Sequence, residues 1–145
     1  MVTRVMMLVR SGTAVALIAM LGLFAACGDD GGSATTSDAP VVFGEGEIPP
    51  AFPDDFPIPP NAVIGTTMID RVNHRSEMSL QIDAELVAAV QFFNVGLVNQ
   101  GFVVESSEGS AITWTIIFSR GEVTGSVVLQ TQGDVSQAVA GVNGT

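Results

Sequence analysis

The spacing of hydrophobic and polar positions changes along the chain, and each change predicts a different element. Residues 62–71 are rich in strand-forming side chains, among them Val63, Ile64, Thr66, Thr67 and Ile69. Residues 76–82 alternate strictly. Met78, Leu80 and Ile82 share one face and Glu77, Ser79 and Gln81 the other, the pattern of a half-buried strand. Asn73-His74 between the two segments reads as a turn, so the pair predicts a hairpin. Leu86, Val90, Phe93 and Leu97 then recur at i, i+4, i+7 and i+11, one helical stripe over about 84–99. Asp83 is placed to cap the helix start and Gly101 to end it in the left-handed conformation. Gly96 inside this helix costs up to about 1 kcal/mol against Ala and suggests close packing on a sheet.

Three more strands are expected after the helix. Residues 102–105 lead into the turn-rich SSEGS. Ile112, Trp114, Ile116 and Phe118 alternate with polar or outward positions, and the segment 123–132 follows a turn at Arg120-Gly121. Short turns imply antiparallel neighbours. The expected fold is α+β, a two-layer sandwich of one helix on an antiparallel sheet of about five strands, in the order β-β-α-β-β-β over residues 61–134. Residues 135–145, VSQAVAGVNGT, show no clear pattern and read as a partly frayed tail.

Ahead of this domain the pattern is different. Residues 48–60, IPPAFPDDFPIPP, hold six of the seven prolines, with Phe52, Phe56 and Ile58 interleaved. Proline favours extended polyproline structure, and the segment reads as a stiff arm whose aromatics pack on the domain. A Pro-rich ligand for a partner is the alternative. Residues 28–47 are rich in Gly, Ser, Thr and acids, and this composition reads as a disordered tether spanning an r.m.s. distance of about 25 Å.

The first 26 residues carry Arg4 and Arg10, no acid, and an uncharged stretch with the core AVALIAMLGLFAA. A basic start, an apolar middle and small residues at the end make a signal peptide. The apolar run falls short of the roughly 18–20 residues of a permanent membrane helix, so an uncleaved anchor is the alternative. The stretch ends Leu23-Phe24-Ala25-Ala26-Cys27-Gly28, which resembles the lipobox of bacterial lipoproteins. The family usually has Leu three residues before the cysteine, where this chain has Phe24. The resemblance covers residues 1–28 only. It implies cleavage between Ala26 and Cys27 and a diacylglyceryl group on the Cys27 sulfur. Two acyl chains, at about 0.8 kcal/mol per buried CH₂, give stable anchoring to a membrane. The localisation implied is extracytoplasmic, lipid-anchored to the cell membrane.

Charge then narrows the partners. All 15 acidic residues follow Cys27, and three arginines and no lysine oppose them, a net charge of −12 for the segment beyond the signal. This balance argues against nucleic-acid binding, which needs clustered cations against phosphate. Electrostatic docking on anionic lipid is disfavoured for the same reason.

The inventory for chemistry is thin. The chain has one histidine, no tyrosine and one cysteine, the residue assigned to lipid. A Ser-His-acid site would need His74, which falls in a predicted turn. A zinc site needs three or four N or S ligands, and no phosphate-cradling glycine loop occurs. No catalytic residue, metal site or cofactor is expected. Arg71, His74 and Arg75 form a local cationic cluster, read either as a contact for an anion or acidic partner or as charge pairing with Glu77, Asp70 or the acidic arm. Two functions follow: a non-catalytic module of the cell envelope binding a protein partner, or a carrier of a small molecule or lipid. A large apolar pocket between helix and sheet would favour the carrier, and a filled core with an exposed apolar patch the module.

Overall fold

The alternating segments form strands, each paired antiparallel with its neighbours. In the computed structural model, which describes residues 39–144, the order is β1 (Val41–Glu45), β2 (Val63–Asp70), β3 (Arg75–Ile82), α1 (Leu86–Asn99), β4 (Val103–Gly109), β5 (Thr113–Arg120), β6 (Val123–Gln132) and β7 (Val135–Asn143). The seven strands make one sheet in the order β1-β2-β3-β7-β6-β5-β4. The export segment, Ala26, Cys27 and the tether up to residue 38 lie outside the described residues.

The one-helix, antiparallel-sheet architecture is as expected, but the strand count and order are corrected from about five to seven. The segment 135–145, read as a frayed tail, supplies β7, which pairs along its whole length with β6 and from Ser136 to Asn143 with β3. Its alternation is real, with Ser136, Ala138, Ala140 and Val142 buried. Ala and Gly are depleted in strands generally, and so a strand of small residues does not announce itself. Here small side chains suit a strand with neighbours on both sides. The second correction is β1, within the segment read as disordered tether. It is held by pairing on β2, from Val41↔Asp70 to Glu45↔Thr66. Five residues between glycines and acids are too few to show a period.

The helix lays its predicted stripe on the sheet, and Leu86, Val90, Phe93 and Leu97 are all buried. Opposite them Ile116, Phe118, Val127 and Leu129 are fully buried. The helix starts later than expected. Its N-cap is Glu85, with no side-chain cap bond, so the assignment of Asp83 to that role is corrected. The chain just before the helix is tied to the sheet instead, where Ser136 Oγ donates to the Ala84 carbonyl at 2.8 Å. The other end matches expectation. Gly101 takes φ 79°, its N–H donates to Val98 O at 3.0 Å, and Phe102 N–H donates to Leu97 O at 3.0 Å. That is the two-bond Schellman closure, with Leu97 and Phe102 both in the core.

The Pro-rich arm belongs to the core, but not as an extended polyproline segment. It folds as successive tight turns, with Phe52 N–H donating to Pro49 O at 3.0 Å, Phe56 to Pro53 O at 2.9 Å and Ala62 to Pro59 O at 3.1 Å. These turns aim both phenylalanines inward. Phe56 lies with ring centroids 5.1 Å from Phe52, 5.7 Å from Phe118, 6.3 Å from Phe102 and 6.4 Å from Phe93. Gly96 has its explanation here. A Cβ at this position would stand 2.8 Å from Pro57 Cβ, so the close approach is to the arm rather than to the sheet. Gly96→Ala is therefore expected to lower the urea midpoint, although propensity alone would raise stability by about 1 kcal/mol. A raised midpoint would contradict the contact.

Arg120 fastens the arm from the other side. Its guanidinium donates to both carboxylate oxygens of Asp55 at 2.6 and 2.8 Å and to the Gln100 carbonyl at 2.7 Å. Its Cζ stands 4.0 Å from the centroid of the Phe102 ring. The hydrogen bond from Arg120 holds the Asp55 carboxyl below its ordinary value. A lowered folded-state value means that the stabilisation is fully present above the unfolded carboxylate range. It is lost as pH falls through the folded value. Melting temperature should therefore fall more steeply for the native chain than for Asp55→Asn below about pH 4. Parallel curves would show that the pair contributes nothing.

Candidate functional site

The strand register gathers the arginines at one end of the sheet, where Asp55, Asp70 and Glu122 also lie, and leaves acids alone at the other. Asp70 pairs with Arg75, Arg75 with Asn143, Asn143 with Thr124 and Arg120 with Val123, so Arg71, Arg75 and Arg120 share one end. These are the three arginines of the described residues. At the other end Ile82 pairs with Ser136, Gln132 with Val135 and Gly109 with Trp114. Asp83, Glu85, Glu108 and Asp134 adjoin that end, all exposed and with no arginine among them.

The cationic end contains the cluster singled out in the sequence. Arg71, His74 and Arg75 line one concavity of about 270 Å³ with Asp70, Ser76 and Gly144. The turn that carries them is built by Asp70, whose Oδ1 accepts from Val72 and Asn73 N–H at 3.0 Å each and whose Oδ2 accepts from Asn73 Nδ2 at 2.7 Å. These bonds hold the Asp70 carboxyl below its ordinary value. His74 takes φ 51° and its carbonyl accepts from Gly144 N–H at 3.2 Å. Arg75 pairs with Glu77 on the exposed sheet face. Arg71 N–H donates to Pro40 O at 2.9 Å, so the chain enters the folded unit at this end. Part of the cationic charge is thus met within the hairpin, as surface pairing of small energy.

The acidic end carries a second concavity, one that the hydrophobic pattern did not reveal. The first turns of α1 and the β4–β5 hairpin enclose about 430 Å³, lined by Leu86, Val87, Val90, Gly109, Ser110, Ala111 and Trp114. Its walls are fixed. Trp114 Nε1 donates to Ser107 Oγ at 2.9 Å, which sets the plane of the indole. Ser110 N–H donates to Thr113 O at 2.7 Å, and Ser110 Oγ accepts from the N–H of Ile112 and of Thr113 at 3.3 Å. Thr131 N–H adds a bond to Ile112 O at 3.0 Å. Gly109 is required by this closure, since a Cβ there would stand 2.6 Å from Trp114 Cα and collide with Thr113 O.

Ile112 and Trp114 fall in phase with the buried Ile116 and Phe118, and Trp114 packs against the edge of the core. Trp114 is half-buried and lines the cleft, and Ile112 is 65 % exposed on the hairpin. The alternation holds, but β5 runs past the area that the helix covers. Val87 is the position that could have pointed here. It is apolar, lies off the helical stripe and is 77 % exposed.

Among the described residues no three His, Cys, Asp or Glu side chains come together as metal ligands, and no helix is long and apolar enough to cross a membrane. Every buried side-chain polar atom among them has a hydrogen-bond partner. Comparison with protein-family models, with curated proteins and with solved structures finds no match for the chain.

Proposed function

We propose that this chain is a lipid-anchored extracytoplasmic protein whose folded unit is a non-catalytic module for a protein partner in the cell envelope. The anchoring half rests on the sequence Leu23-Phe24-Ala25-Ala26-Cys27, placed where a basic, then apolar, segment gives way to an acidic one. The partner half is supported by the filled interior. Phe93, Leu97, Ile116, Phe118, Val127 and Leu129 have no exposed surface, so the middle of the helix–sheet interface is filled, and the apolar cleft beside it opens at the rim. Apolar surface is offered at the rim instead, by Val87, Ala111, Ile112 and Trp114.

Cys27→Ala is expected to abolish metabolic labelling with a radioactive fatty acid and to shift the protein out of the detergent phase. Unchanged detergent partitioning would contradict the anchor. The cationic cluster has its own test. Replacing Arg71 and Arg75 by Ser is expected to leave crosslinking to envelope proteins unchanged, because Arg75 is already paired with Glu77. Loss of the crosslinks would transfer the partner contact to the cationic end.

A further inference from the structure

We propose that the cleft between α1 and the β4–β5 hairpin receives a large apolar side chain from a partner polypeptide that is basic on either side of that anchor. The inference deepens the partner-module reading and rests on it. Four observations carry it. The first is size and lining, since about 430 Å³ faced by Leu86, Val87, Val90, Ala111 and Trp114 matches the range of pockets that bind ligands through apolar contact. The second is preorganisation. Trp114 is pinned by Ser107 and the hairpin by Ser110, so neither wall must be ordered on binding. The third is charge. Glu85 and Glu108 adjoin the lining residues Leu86 and Gly109, Asp83 and Asp134 lie at the same end, and the three arginines of the described residues lie at the other. An apolar anchor with flanking acids would be repelled there, and one with flanking Lys or Arg attracted. The fourth is access, because Val87 in the lining is 77 % exposed and Ala111 and Ser110 are exposed beside it.

The chain has a single tryptophan and it lines the cleft, so Trp114 emission reports occupancy directly. The probe is the blocked peptide Arg-Arg-Phe-Leu-Arg-Arg, titrated against the full chain in detergent solution. A saturable change in Trp114 emission is expected, weakened by added salt as the attraction is screened. Val87→Lys, at an exposed position that leaves the core untouched, is expected to weaken it at least about tenfold, since a desolvated charge without a partner opposes binding. Glu85→Gln with Glu108→Gln should flatten the salt dependence. The acidic peptide Glu-Glu-Phe-Leu-Glu-Glu should show no saturation. Equal binding of the acidic and basic peptides, or binding indifferent to Val87→Lys, overturns the inference. So does the absence of any saturable change. The titration reads the cleft whether or not Cys27 carries lipid, so failure here leaves the anchor standing, and crosslinks that survive Val87→Lys would leave the partner module standing without this site.

Discussion

Truncation after Asp134 is expected to abolish the folded state. The missing segment is β7, which lies between β3 and β6 and joins the strands before the helix to those after it. Without it β1-β2-β3 and β6-β5-β4 have no shared hydrogen bonds, and the facing edges of β3 and β6 are left open. Buried Ala138, Ala140 and Val142 leave the core as well, as does the Ser136 bond that positions the chain before the helix. Circular dichroism and limited proteolysis provide the check. The truncated chain should lose its cooperative melt and be cut throughout residues 61–134. A cooperative melt in the truncated chain would mean that the halves fold through helix and arm alone.

Phe56→Ala is expected to destabilise the fold by about 3–5 kcal/mol, the usual range for removing a buried phenylalanine. The ring sits at the meeting point of four others, from the arm, the helix, β5 and the helix-to-β4 turn. Its loss opens a cavity that the constrained Pro turns on either side of it cannot close. It also loosens the hold of Arg120 on neighbouring Asp55. Urea unfolding measures this, with Phe52→Ala, a buried ring packed edge-on against Phe56, as a companion change. An effect below about 1 kcal/mol, typical of a surface substitution, would place the arm outside the cooperative unit.

These two segments also mark where the sequence was legible and where it was not. β3 could be read residue by residue because Met78, Leu80 and Ile82 are large and alternate with polar side chains. The helix could be read from four apolar residues at helical spacing, and its end from Gly101. β7 alternates just as faithfully, but with Ala and Ser, whose burial depends on neighbours supplied by β3 and β6 rather than on their own hydrophobicity. β1 is a strand only because β2 offers an edge. The arm was legible as packed aromatics but not as turns, because prolines three residues apart serve both extended and turning backbones. The cleft was hidden for a related reason. Trp114 obeys the period of its strand, and only the extent of helical cover decides that its face meets solvent. Local pattern tells which side chains seek burial, while the tertiary arrangement decides which of them are left at the rim.

The claim on which the functional account depends is that Cys27 is the lipid-bearing first residue of the mature protein. Intact mass spectrometry of the protein extracted from membranes tests it most directly. The expected product is a chain that begins at Cys27 and carries a diacylglyceryl group on its sulfur. A chain that retains Met1, or one cleaved elsewhere with an unmodified thiol, would contradict it.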